Sequence, residues 1–270
     1  MNVIILRPRL RWNIKCVLCL VPSLAGILFF FIIPYFRVLY YSLIDNQFRR
    51  NFVGLSNYIK TFQNEYFLLA LKNSLLLIFI AVPVLILVSL LLSLALSYGI
   101  KKLRALRTAF VLPMVIPTAG AALVWSFFFS GRGGALPVYL LFIWKNAGIC
   151  VVLMTAAFTC IDGAIYEAAK IDGASKRALY MKITVPMIMP TVIFSTLLSI
   201  VNSFRVFKET YLYYGGTNYP PDHAYTLQYY MNNNFLKLDY QSLASSAVMT
   251  SVLVFLIVLG GLALQKRYEQ

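Results

Sequence analysis

Acidic residues are the scarcest chemistry in this chain: nine aspartates and glutamates among 270 residues, against 24 lysines and arginines and one histidine. Charged residues of both signs make up only 12%, where soluble domains carry about 25%, and the deficit excludes an ordinary water-exposed globule. With His223 alone, neither a histidine metal cluster nor a Ser-His-Asp arrangement can be assembled. Cysteine is equally thin. Cys16 and Cys19 form a C-x-x-C at the start of an apolar stretch, without the second pair that a zinc site needs. Cys150 and Cys160 read as small apolar packing residues. There is no G-x-x-x-x-G-K-[ST] loop to cradle a nucleotide's phosphates. A membrane enzyme finds no nucleophile, metal set or acid pair, and no basic patch with interleaved aromatics suits nucleic acid.

What the chain has is hydrocarbon. Hydrophobic residues reach 60%, mean hydropathy is +0.77, and the reading is an all-α integral membrane protein forming one transmembrane domain over residues 1–270. The formal charge of +15 then reports topology and anionic headgroups. Arg7, Arg9, Arg11 and Lys15 precede a first apolar stretch that continues to about Tyr41. Ser23-Leu24-Ala25 resembles a cleavage site, but the stretch far exceeds the ~7–15 residues of a signal core, so it reads as an uncleaved span.

Five more spans follow, at about Asn73–Tyr98, Thr108–Ser130, Leu136–Thr159, Pro186–Phe207 and Ser242–Leu264. Pro83 is expected to kink the second. Pro113, Pro117 and Gly120 suit local bending of the third, whether pore-lining or merely structural. Lys101, Lys102, Arg104 and Arg107, with no acid among them, mark a cytoplasmic loop, and Lys266 and Arg267 hold the last span's end inside. Both termini are therefore expected in the cytoplasm, with residues 42–72 and 208–241 outside. The tyrosines from Tyr211 to Tyr230 suit a headgroup belt better than sugar stacking.

The longest patterned polar interruption is DGAIYEAAKIDGASKRALYMKITVPMIMP, from Asp162 to Pro190. It reads as two short helices around a hinge. Asp162 can cap the first, Ile165, Ala168, Ala169 and Ile171 supply small or apolar contacts, and Gly173 can end it at positive φ. Leu179 and Ile183 lie one turn apart on the second segment, and Pro186 is expected to push Val185 out of the helical region. Small residues, one acid and a glycine hinge make a surface fit for a partner's cleft, while composition alone equally allows a membrane-surface helix.

The fixed spacing goes further. Tyr166-Glu167-Ala168-Ala169, then Asp172-Gly173-Ala174, Ile183 and Pro186, resembles the EAA loop of permease subunits in bacterial ATP-binding-cassette importers, and the carbohydrate branch in particular. Val185 stands where that family usually has Leu. The resemblance implies the type I importer permease fold of about six transmembrane helices in a bacterial inner membrane, with residues 161–186 coupling to ATPases. It implies as partners a second similar permease, two cytoplasmic ATPase subunits holding ATP and Mg, and an extracytoplasmic solute-binding protein. This chain itself would bind no cofactor and hydrolyse nothing. Lipid surrounds it, and its solute would be a carbohydrate, an oligosaccharide in the first instance.

Ionisable groups at membrane depth cost ~2.5–3.5 kcal/mol at mid-helix and so are functional candidates. Asn202 and Arg205 lie one turn apart and are expected to line a solute path, with Phe204 or Tyr211 available to stack on a sugar ring and Asn146 near the outer end of the fourth span. Arg37, Lys145 and Lys208 are expected to snorkel to phosphates. The rival is a self-sufficient secondary transporter or channel, which would need embedded acids for ion coupling. The nine acids read as loop, interface or tail residues.

Overall fold

The computed structural model describes residues 14–98, 106–129 and 134–268, all helices and connections apart from one isolated antiparallel bridge between Ile44 and Phe52. The basic residues Arg7, Arg9, Arg11, Lys101, Lys102 and Arg104, and the turn residues 131–133, lie outside the described residues. The first span is α1 (Ile14–Ile27), a π turn over Leu28–Ile32, and α2 (Ile33–Ser42). Phe30 and Phe31 are 78% and 71% exposed, as a lipid-facing surface allows.

A short helix, α3 (Ser56–Gln63), leads into α4 (Glu65–Tyr98), whose start lies eight residues before the expected Asn73. Asn64 explains the earlier start. Its Oδ1 accepts the free N–H groups of Tyr66 and Phe67 at 3.0 and 3.2 Å, and Glu65 sits where the helix dipole favours an acid. Pro83 lies inside α4 without breaking it.

The expected third span is two helices, α5 (Leu106–Val115) and α6 (Thr118–Phe129), bent by 105° at Ile116-Pro117. The fourth, α7 (Leu136–Thr159), has the expected bounds. The close crossing of α5 and α7 depends on Gly148, where a Cβ would collide with the Phe110 carbonyl. Beyond the crossing α6 packs near Leu141 and Trp144, with Trp125 and Trp144 ring centroids 6.2 Å apart.

After α8 (Gly163–Ile171) the chain runs as one helical rod from Lys176 to Ser203: α9 (Lys176–Leu179), a π turn over Tyr180–Thr184, and α10 (Val185–Ser203). Val185 is helical, with φ −61° and ψ −49°, contrary to expectation. Both π turns among the described residues end two residues before a proline, Pro34 and Pro186. A proline ring clashes with the carbonyl four residues back, and the wider turn moves that carbonyl aside. The helix therefore passes through Pro186 where sequence rules expected a break.

The chain closes with α11 (Lys208–Tyr213), α12 (Leu227–Leu236) and α13 (Tyr240–Gln265). Tyr225, Tyr229 and Tyr230 are buried against Phe67, Ala70 and Leu227, so these tyrosines build a core and not a headgroup belt. Burial pushes the hydroxyl pKa of all three up, keeping them protonated.

Long-range hydrogen bonds gather one end of the bundle. Asn73 in the third turn of α4 donates to the carbonyls of Asp222 and Tyr225, and Ser74 Oγ accepts from Leu227 N at 3.0 Å. Thr61 joins Ser245 near the start of α13 at 2.6 Å, and Tyr214 donates to the carbonyl of Gly134, just before α7. The starts of α4, α7 and α13 and the end of α10 thus share one end. The segment from Cys160 to Thr184 and the end of α13 lie at the other.

Candidate functional site

Two groups of residues stand apart, one at each end of the α9–α10 rod. At the first, the Asp162 carboxylate accepts the N–H of Ala164 at 3.0 Å and caps α8. At the helix end, Gly173 N–H bonds the Lys170 carbonyl at 3.0 Å and Ala174 N–H bonds that of Ala169 at 2.9 Å. This Schellman pattern needs a left-handed residue, and Gly173 has φ +77°. A Cβ there would meet nothing within 4 Å, so the glycine serves backbone sign and not space. Ser175 Oγ then caps α9 by accepting from Ala178 N–H at 3.3 Å.

The face that α8 turns outward carries Glu167, Ala168, Ile171 and Asp172, with Ile171 87% exposed. An isoleucine so bare, one turn from the small Ala168, is a docking shape. Ala169 and Ala174 are half-buried. The Tyr166 hydroxyl lies 2.8 Å from Thr184 Oγ1, which also donates to the Leu179 carbonyl at 3.3 Å inside the π turn. Ile183 is half-buried in that turn and Pro186 exposed just after it. The structure thus places Tyr166, Glu167, Ala168, Ala169, Asp172, Gly173 and Ala174 on one small knob, and Ile183 and Pro186 on the rod to which Tyr166 fastens it.

At the rod's other end is a cleft of about 230 Å³ lined by Phe142, Lys145, Asn146, Asn202, Arg205, Val206 and Glu209. Asn202 Nδ2 donates to Asn146 Oδ1 at 3.3 Å, and Asn146 Nδ2 donates to the Phe142 carbonyl at 2.8 Å. Lys145 Nζ stands 3.6 Å from the Glu209 carboxylate and donates to Thr118 Oγ1, the first residue of α6. Lys145 is therefore paired inside the protein where snorkelling was expected.

Of the five residues expected along a solute path, Asn146, Asn202 and Arg205 meet in the cleft. Phe204 does not: it is buried with Tyr225, Leu227 and Tyr229. Tyr211 stacks on Phe207 at 5.4 Å, away from the cleft. Sequence reasoning missed Glu209 as a partner for Lys145. Its signal was rarity, since an acid one turn past Arg205 is conspicuous in a chain with nine.

Residues 73–270 match the family described as binding-protein-dependent transport system inner membrane component. The sn-glycerol-3-phosphate transport system permease protein UgpA of Yersinia pestis is 29% identical, over 94% of this chain and 93% of that protein. The lactose transport system permease protein LacF of Rhizobium radiobacter is 26% identical over 88% of each. In fold the chain is similar to a crystal structure of a bacterial alginate ABC transporter in complex with an alginate-pentasaccharide-bound periplasmic protein. The TM-score is 0.72 at 22% identity, covering 94% of both chains. By the match over residues 73–270, the chain belongs to the binding-protein-dependent inner membrane components, the multi-pass permease subunits of ATP-binding-cassette importers.

Proposed function

We propose that this chain is one transmembrane half of an ATP-driven importer of carbohydrate, an oligosaccharide in the first instance, in a bacterial inner membrane. A second, similar permease supplies the other half, and a solute-binding protein outside delivers the sugar. Two ATPase subunits, which carry the ATP and Mg, dock in the cytoplasm on the α8 knob through Glu167, Ala168, Ile171 and Asp172. The names of relatives that carry glycerol phosphate and lactose support the sugar class.

The observation that carries the reading is the rod. The knob hangs from one end through the Tyr166–Thr184 bond and the turn at Gly173, and Asn202 and Arg205 stand at or just past the other end. A rod from Lys176 to Ser203 spans about 40 Å at ~1.5 Å per residue, so rotation at the knob displaces the cleft lining without a flexible intermediate. Positive residues at the knob's end, Lys176, Arg177, Lys182, Lys266 and Arg267, favour placing that end and both termini in the cytoplasm.

The test is reconstitution of the complex with Glu167→Lys and Ile171→Asp. Both variants are expected to insert normally, yet lose most solute-stimulated ATP hydrolysis and co-purify poorly with the ATPase. Solute uptake into vesicles by this polypeptide alone would instead favour the self-sufficient transporter or channel and end the proposal.

A further inference from the structure

The titratable groups lining the cleft are Lys145, Arg205 and Glu209, two cations against one anion. The pairing decides which cation is spare. Lys145 and Glu209 have side chains only 14% and 22% exposed, and the lysine's remaining contact is the Thr118 hydroxyl. Glu209 is thus committed to Lys145. Among the described residues no acid pairs with Arg205, whose guanidinium lines the same space. The amides are ordered as well. Asn146 donates one N–H to a backbone carbonyl and accepts at its oxygen one N–H from Asn202. Among the described residues Asn202 Oδ1 takes no hydrogen bond, which leaves an acceptor, with a second N–H on each amide, beside a planar fork of N–H donors.

We propose that the cleft takes a polyhydroxylated anionic solute, a sugar carboxylate or sugar phosphate. Arg205 grips the anion and Asn202 Oδ1 accepts a neighbouring hydroxyl. The proposal rests on the cleft being the solute path. A guanidinium matches either anion bidentately, while an unpaired cation gives a neutral sugar no comparable advantage. Phe142 and Val206 supply the apolar wall. Glu209 neutralises Lys145, so the site holds one excess positive charge, that of Arg205.

The experiment is equilibrium binding of radiolabelled glucuronate, glucose 6-phosphate and glucose to the assembled complex of both permeases and the ATPases in nanodiscs, without the solute-binding protein. One of the two anions is expected to bind about tenfold tighter than glucose, its identity separating the carboxylate from the phosphate source. Arg205→Gln should weaken both anions about tenfold more than it weakens glucose, and Arg205→Lys should keep part of the preference. Glu209→Gln should strengthen anion binding, an opposite sign that a merely structural role would not give. Equal affinity for glucose and both anions in the unaltered complex overturns the charge assignment and leaves sugar import standing. So does a loss in Arg205→Gln that is the same for all three solutes. If Arg205→Gln alters no solute's binding or uptake, the solute-path reading falls as well.

Discussion

At the scale of single residues, two glycines do opposite jobs. Gly173 sits at φ +77° with open space around its Cβ position, so any L-residue there is strained but not crowded. The left-handed conformation costs an L-residue about 1–2 kcal/mol, and asparagine tolerates it best. Gly173→Val is therefore expected to lower uptake per ATP hydrolysed while the subunit inserts normally, with Gly173→Asn in between. Parallel uptake and ATPase measurements in proteoliposomes check the order, and equal coupling in the unaltered chain and both variants would refute it. Gly148 is the converse: its backbone is ordinary, but a methyl would meet the Phe110 carbonyl and the chain at Val111. Gly148→Ala should destabilise the α5–α7 crossing by about 1–3 kcal/mol, seen as a lower Tm of the purified complex. An unchanged Tm would mean that the two helices do not cross as closely as described.

At the scale of elements, the π turns are the informative feature. The turn at Tyr180–Thr184 holds one residue more than an α-helical turn, so closing it would rotate α8 and α9 against α10 by about 100°. Removing the proline that the wide turn accommodates, as in Pro186→Ala, is expected to let the turn relax and swing the knob. Spin labels at Ile171 and Met187 should report a changed distance, and uptake should fall while ATPase binding persists. An unchanged distance would show that Thr184 and Tyr166 hold the turn without the proline. How far these elements were legible depended on whether their cause was local. α7 could be bounded from the sequence because a glycine-rich turn and a polar loop flank one apolar run. The Gly173 hinge and the Asp162 cap were legible too, since each is set by a residue's own backbone chemistry. The start of α4 was missed because residues 42–72 read as one outside segment, although the Asn64-Glu65 cap lay in plain view. The 105° bend at Ile116-Pro117 was not legible: Pro117 marks a break, but the angle follows from the contact of Phe110 with Gly148 and of α6 with Trp144. Likewise Asn202 and Arg205 announced themselves by depth, whereas the pairing of Lys145 with Glu209 exists only once α7 and α11 meet.

At the scale of the whole molecule, the chain is an incomplete object, and its surface says so. Phe30, Phe127 and Phe128 are each more than three-quarters bare, a cost in water and none in lipid. The cleft, by contrast, opens on polar side chains that lipid would penalise, so its mouth calls for protein or water. Both conditions hold together only if the bundle crosses the membrane with the knob on one side and the Tyr214–Asn234 region on the other. Sidedness is thus the global claim on which the lever depends. With Cys16, Cys19, Cys150 and Cys160 replaced, single cysteines at Ile171 and Tyr219, which are 87% and 69% exposed, serve as reporters. A membrane-impermeant maleimide is expected to label Tyr219→Cys in intact spheroplasts and leave Ile171→Cys untouched, with the reverse in inverted vesicles. Labelling of both from the same side would put knob and cleft mouth in one compartment, and a rod that does not cross the bilayer cannot carry motion from one face to the other.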